Sequence, residues 1–229
     1  MEQNKICWGL LKRRQCVVPT LRAWALFVLV GGALVVVGVR QLGSFLTLTD
    51  PVQGGVLVVE GWVPDYGYEA SIAEFKRVHY DKMFVTGLPL ERGAPLSEYK
   101  TYAELGAAVL VKMGMSTNDV QAVPAALVLQ DRTYAMARAL RRWMLEHGMR
   151  PTKVQIMTIG PHARRSRLTF QKAFGKDVAV GITAIPSREF DPRHWWTSSE
   201  GVRGVIGEAL AYLYARLLFH PAMGAGAGA

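Results

Sequence analysis

Residues 153–175 read KVQIMTIGPHARRSRLTFQKAFG, and this stretch decides the fold. Val154, Ile156 and Ile159 lie in an apolar run between Lys153 and Gly160. That is the composition of a strand buried in a sheet. Gly160-Pro161 ends the run. A helical pattern follows, with Leu168, Phe170, Ala173 and Phe174 as its apolar stripe. The spacing predicts strand, tight turn, helix. His162 sits at the turn, followed by Arg164, Arg165 and Arg167. In open α/β sheets ligands bind just outside the carboxyl ends of the strands. A helix N-terminus there offers free N–H groups and a partial positive charge. The arginines add forked donors that match phosphate or carboxylate. The alternative is a surface loop whose basic helix is simply solvated.

Working outward, the same unit recurs. Residues 55–59, GVLVV, form a short apolar run of the kind found in central parallel strands. The loop EGWVPD follows over 60–65, then a helix over 68–79 with Ile72, Phe75 and Val78 on one face. A second strand over 82–85 ends at Thr86-Gly87. Ser97 is the expected N-cap of a helix reaching about 113, with Tyr102, Leu105, Val109 and Met113 inward. A third strand lies within 120–129, broken at Pro124. Asp131 then caps a helix over 133–147, with Tyr134, Ala137, Leu140 and Met144 on its apolar face. After the opening unit come a fifth strand over 178–185 and a loop with Trp195-Trp196. The last helix covers 200–219, with Val202, Ile206, Leu210, Leu213 and Leu217 inward. Strand and helix alternate five times, which implies βαβ units and a doubly wound parallel sheet of about five strands. The loops after successive strands then share one edge. They carry Glu60 to Asp65, Thr86-Gly87, Asp131-Arg132-Thr133 and the 160–165 segment.

The N-terminus is different in kind. The chain has 229 residues and a net charge of +9. Residues 1–22 hold Lys5, Lys12, Arg13, Arg14 and Arg22 against Glu2 alone. The run 23–39, AWALFVLVGGALVVVGV, contains no charge and is flanked by Arg22 and Arg40. As a helix it spans roughly 25 Å, and flanking arginines and Trp24 can make up the difference to the bilayer core. A cleaved signal peptide would have a shorter apolar core and an Ala-x-Ala site, whereas Arg40-Gln41-Leu42 follows here. The expected organisation is a basic cytoplasmic tail over 1–22, a transmembrane signal anchor over 23–40, a linker over 41–54, an α/β domain over 55–220 outside the cytoplasm, and a disordered tail over 221–229. Cys7 and Cys16 both fall in the tail, so the domain has neither disulfide nor cysteine nucleophile. With much of the positive charge assigned to the anchor, a nucleic-acid partner is disfavoured.

Standard motifs are missing. No G-x-G-x-x-G follows the first strand, and there is no Walker A and no G-x-S-x-G elbow. The five histidines are scattered and make a poor metal site; Asp65 and Asp131 are the acids that could hold a hard cation, and the motifs name no cofactor. Glu208 sits among Gly204, Gly207 and Ala211, so a close neighbour and a charge partner are expected for it.

The residues at the shared edge resemble the YdcF/SanA/ElyC-like family, over about residues 54–217. The matching positions are Glu60-Gly61, Thr86-Gly87, Ser97-Glu98, Asp131-Arg132-Thr133-Tyr134-Ala135, His162 with Arg165 as a His-x-x-Arg, and the late Glu208. Departures are the Glu-Gly-Trp-Val-Pro-Asp first loop, the single glycine after Thr86, and Asp131-Arg132 where the family has a polar residue and Asn. The resemblance implies a Rossmann-like α/β/α sandwich and, for anchored members, a role in envelope biogenesis such as peptidoglycan or lipid-carrier metabolism.

These readings give one expected site. His162 and Asp131 are its catalytic candidates. Glu60, Gly61, Asp65, Thr86, Gly87, Glu98, Thr133 and Arg165 are its ligand-binding candidates, supported from behind by Glu208 and Trp195. The expected ligand is phosphorylated, of the class of a lipid-linked glycan or peptidoglycan precursor, with His-assisted hydrolysis or transfer. The alternative is a non-enzymatic envelope regulator with a small-ligand pocket. His162 and Arg165 are expected to be partly exposed, so that alanine at either position alters function rather than stability.

Overall fold

The computed structural model describes residues 19–221, together with the backbone of a two-residue antiparallel pair, Lys5–Ile6 with Leu11–Lys12. The expectations for Cys7, Cys16 and residues 222–229 lie outside the described residues. Two compact units emerge, Met1–Arg40 and Gln41–Ala229. The first contains most of helix α1, Leu21–Leu46, which is long and apolar enough to cross a membrane.

The second unit is an α/β domain. Its strands are β1 (Val56–Glu60), β2 (Lys82–Gly87), β3 (Val120–Pro124), β4 (Lys153–Ile159) and β5 (Ala179–Ile185). All five are parallel, in the order β3-β2-β1-β4-β5. The connecting helices are α2 (Asp65–Arg77), α3 (Tyr102–Lys112), α4 (Arg132–Glu146) and α5 (Ala163–Phe174), and α6 (Ser199–Leu217) closes the chain. The strands are mostly apolar because both faces are covered, with Glu60, Thr86, Gln155 and Thr158 as buried polar exceptions. Val56, Val58, Phe84 and Ile156 meet α4 and α5 through Leu140 and Phe170. Leu57, Val59, Met83 and Val85 meet α2 and α3 through Tyr68 and Leu110.

Residues 41–54 are not a free linker. Residues 41–46 continue α1, and Leu46 is fully buried against Trp195 and Val205. Asp50 then pairs with Ile182 of β5, and the Val52 N–H donates to the Gln155 side chain at 2.8 Å. Backbone groups left open at the sheet edge are thereby satisfied.

Three local expectations shift. Thr101, not Ser97, caps α3, in a reciprocal capping box with Glu104. Helix α3 buries Ala103, Gly106 and Leu110, while Leu105 and Val109 are only half-buried. The glycine decides this, because a Cβ at Gly106 would lie 2.5 Å from the Tyr68 hydroxyl oxygen. In α5, Leu168 is half-buried, and Ser166 and Thr169 take inward positions beside Phe170 and Ala173.

The largest reversal is in α6. Val202, Ile206, Leu210, Leu213 and Leu217, expected inward, are all exposed. The helix instead buries Gly201, Val205 and Ala215. Its rotation follows from Glu208, which lies on the opposite side of the helix from that aliphatic stripe and reaches two cations on α5 and the turn before it.

Candidate functional site

The strand order reverses between β1 and β4, and crevices at such switch points are where open α/β sheets bind ligands. Strand β1 ends there with Glu60. Strand β4 runs into a single 3-10 turn, Gly160–His162, and then α5. The turn swings His162 back over the end of β1.

Glu60 is fully buried. Ser166 donates to Oε1 at 3.0 Å and the Thr158 hydroxyl donates to Oε2. His162 Nε2 faces the same Oε2 at 3.4 Å. On the other side of the imidazole, Nδ1 lies 2.9 Å from Glu208 Oε1. Arg165 grips that same Glu208 in a fork, Nε to Oε2 at 2.7 Å and one terminal nitrogen to Oε1 at 2.9 Å. The other terminal nitrogen donates to Thr133 Oγ1 at 3.2 Å. Arg165 also approaches His162 Nδ1 at 2.9 Å. Since Nδ1 carries the proton it donates to Glu208, this is a close approach of two donors rather than a further hydrogen bond.

The charges follow from this packing. Burial pushes the His162 imidazolium down, but the Glu60 charge and the bond to Glu208 outweigh it and raise the group to about 9. Burial pushes Glu208 up, but the bonds from His162 and Arg165 bring it down to about 2. Burial likewise opposes the Glu60 carboxylate, yet His162, Thr158 and Ser166 hold it below its ordinary range. Two carboxylates and two cations thus form a neutral, largely buried quartet, with only Glu60 fully enclosed. At neutral pH His162 is an acid and not a base.

Above the quartet opens a cavity of about 610 Å³. Trp62, Tyr102, Tyr134 and Tyr214 give it aromatic walls, and Asp131, Thr133, His162 and Arg165 are among its polar groups. The edge of the Trp62 ring meets His162, with centroids 5.0 Å apart. A Glu91–Arg132 ion pair stands at the exposed rim. Gly61 and Gly87 let the start of α3 come down onto the strand ends: a Cβ on either would lie 2.4 Å from Tyr102 O or 2.3 Å from Ala103 N. That close approach delivers the Tyr102 ring to the cavity.

Asp131 is the one non-glycine residue with positive φ among those described, at φ 52° and ψ 41°. It stands at the N-cap of α4, but its side chain makes no capping bond. The expected cap is therefore missing, and the first turn of α4 keeps open N–H groups. Strain of this kind in a non-glycine residue costs about 1–3 kcal/mol and concentrates at functional sites. The N-terminus of α5 differs. Buried Glu60, bonded to Ser166 of its first turn, already places a negative charge there.

Of the residues singled out from the sequence, Asp131, Thr133, His162, Arg165 and Gly87 line the cavity, and Glu60 and Glu208 lie behind it. Glu60 is sealed from ligand. Gly61 is buried and hydrogen-bonded to Thr86 O. Thr86 is buried beside Glu60 in the sheet register, with no partner for its hydroxyl among the described residues. Asp65 and Glu98 are exposed and do not line the cavity. Trp195 does not support the site: it packs with Leu46 and Val205 on the other flank of α6. Trp62, weighed from the sequence as packing or a lid, and Tyr134, in the segment that carries the resemblance, line the cavity; Tyr102 and Tyr214 escape a sequence reading of the site, because aromatics at helical positions read as core. His162 and Arg165 are partly exposed as expected: their side chains are 13% and 20% accessible, and both line the cavity. Among the described residues no three His, Cys, Asp or Glu are grouped to hold a metal ion.

Comparison with known proteins returns no match to a family model, a curated protein or a solved structure. What the fold and site define is a class: a Rossmann-type α/β domain with a switch-point crevice, preceded by a helix able to cross a membrane.

Proposed function

We propose that this is a single-pass, membrane-anchored envelope protein whose crevice binds the phosphate-bearing head of a glycan ligand, such as a lipid-linked or peptidoglycan precursor. The basic segment before α1 sets residues 1–22 in the cytoplasm and the α/β domain outside it. One observation carries the ligand reading: α4 presents an uncapped N-terminus to an aromatic-walled cavity, with Thr133 and a terminal nitrogen of Arg165 beside it. Open N–H groups at a helix start favour an anion. The aromatic rings suit sugar faces, and Asp131, whose carboxylate takes no hydrogen bond among the described residues, suits sugar hydroxyls. Asp131 repels a bare phosphate, so the anion sits on the Thr133 side. His162, charged between two carboxylates, serves as proton donor where the bound ligand is hydrolysed or transferred.

A second reading, a non-enzymatic regulator with the same pocket, is favoured by a separate observation. Both His162 and Arg165 are already engaged with Glu60 and Glu208, which leaves the pocket without a free histidine. One experiment addresses both. The full chain is purified in lipid nanodiscs and any retained ligand identified by native mass spectrometry. A phosphorus-containing glycan retained by the parent chain and lost with Thr133→Val supports the first reading. Its conversion on incubation, abolished by His162→Gln, separates enzyme from regulator. No phosphorylated ligand, or full retention by Thr133→Val, sinks the phosphate assignment.

A further inference from the structure

The aliphatic stripe of α6 is the largest apolar feature of the domain that neither core nor cavity explains. Val202, Ile206, Leu210, Leu213 and Leu217 recur every three or four residues and fall on one side of the helix. Leu210 is 64% and Leu217 63% exposed. The adjacent flank of α6 is occupied by the chain's own entry into the domain. Leu42 and Leu46 pack with Val205, Ala209 and Tyr212, and the Phe45 ring meets Tyr212 edge-on at 5.8 Å. Arg164 fixes this turn from the far side, donating to the Phe45 carbonyl and lying 3.8 Å over its ring.

This contact says what covers the stripe. The uncharged run ends at Val39, and by Leu42 the chain is already against α6. Three to six residues of helix rise only about 5–9 Å. Only a few residues of chain thus separate the end of the uncharged run from the segment packed on α6. Arg203 and Arg216, both exposed, border the stripe with positive charge, as suits an anionic lipid surface. We infer that α6 lies on the bilayer, with its aliphatic stripe in the headgroup–acyl boundary. Tyr214 borders the stripe and also lines the cavity. Seating α6 in this way brings the cavity rim to headgroup level, where the head of a lipid-linked ligand is presented.

The inference rests on α1 being a membrane anchor, and the test separates the two. In the full chain, with Cys7→Ser and Cys16→Ser, single cysteines are placed in turn at Ile206, Leu210 and Leu213, at Val36 as a bilayer reference, and at Glu98 and Glu146 as exposed controls. Each carries an environment-sensitive fluorophore in phosphatidylglycerol–phosphatidylethanolamine vesicles, with nitroxide lipids quenching near the headgroup or deep in the acyl region. The expected result is deep-lipid quenching at Val36, loss of most emission to the shallow quencher at 206, 210 and 213, and none at the controls. Replacing Arg203→Glu and Arg216→Glu together lowers the shallow quenching. With Val36 quenched, stripe labels that match the controls overturn the seating of α6 and leave the anchor standing. Labels shielded from both lipid and aqueous quenchers assign the stripe to a second copy or a protein partner, which also overturns it. If Val36 is not quenched, both readings fall.

Discussion

Helices α5 and α6 pack on one another, yet each contradicts its own sequence. Helix α5 is rich in basic residues and reads as an anion site or a solvated face. In the fold its cations are structural. Arg164 holds the end of α1 and Arg165 holds Glu208. Arg167 reaches Asp50 at 2.8 Å and the Val180 carbonyl at 3.1 Å. Lys172 donates to the Ala215 carbonyl at 2.6 Å, near the end of α6, where a cation also meets the negative pole of the helix. Helix α6 carries five large aliphatic residues on one side and reads as core, but that side is exposed. The pair teaches that charge and hydrophobicity identify a face without identifying its neighbour.

Three outcomes can break or sharpen this contrast. The largest concerns the quartet. Glu60→Ala removes the acceptor of Thr158 and Ser166 and leaves His162 with a single carboxylate. Breaking a buried pair by removing one partner costs about 3–5 kcal/mol. Denaturant unfolding of the detergent-solubilised full chain should show that loss for the α/β domain. A change under about 1 kcal/mol, the scale of an exposed ion pair, would mean the quartet does not fasten α5 to the sheet.

Next in size is a pH effect. His162 is raised from an ordinary value of 6.5 to about 9 on folding. A raised pKa contributes stability that is complete below 6.5 and is lost as pH climbs through 9, here about 3 kcal/mol. Glu208, lowered from 4.5 to about 2, has the opposite sign: its contribution is complete above 4.5 and fades as pH falls toward 2. Thermal melts should therefore lose stability between pH 6.5 and 9, with His162→Gln flattening that slope while keeping a polar side chain in place of the ring. An equally steep slope in the variant would place the titrating group elsewhere.

The smallest effect tests α6 itself. Val205 is fully buried, and Val205→Ala should cost about 1.5 kcal/mol for two lost methyl groups. Leu210→Ser, on the exposed stripe, should change the unfolding free energy of the solubilised chain by no more than about 0.5 kcal/mol. If the two substitutions cost the same in unfolding measurements, α6 does not meet the domain through its Val205 side.

The elements and their class can be read from the residues alone. Short β-branched runs closed by glycine and proline, alternating with helical periodicity, leave little choice but a parallel sheet with helices on both faces. The same regularity marked the loops of one sheet edge as the place for a site, and His162, Arg165, Thr133, Asp131 and Glu208 were all legible there. The uncharged run before residue 40 was legible for the same reason, since its length and composition need no partner to be read.

What those residues do depends on contacts made across the fold. Asp131 has the composition of a cap but adopts a left-handed backbone and caps nothing, because helix starts are judged by neighbours in space as well as in sequence. Thr101, rather than Ser97, begins α3 because a reciprocal bond to Glu104 needs the correct spacing of three. The aromatic walls of the cavity come from four separate segments and share no local signal. The rotation of α6 is the clearest case. Burial of one carboxylate between His162 and Arg165 fixes which side faces the domain, and the aliphatic stripe is turned outward as a consequence. A local pattern reports what a surface would prefer to touch; long-range packing determines what it meets.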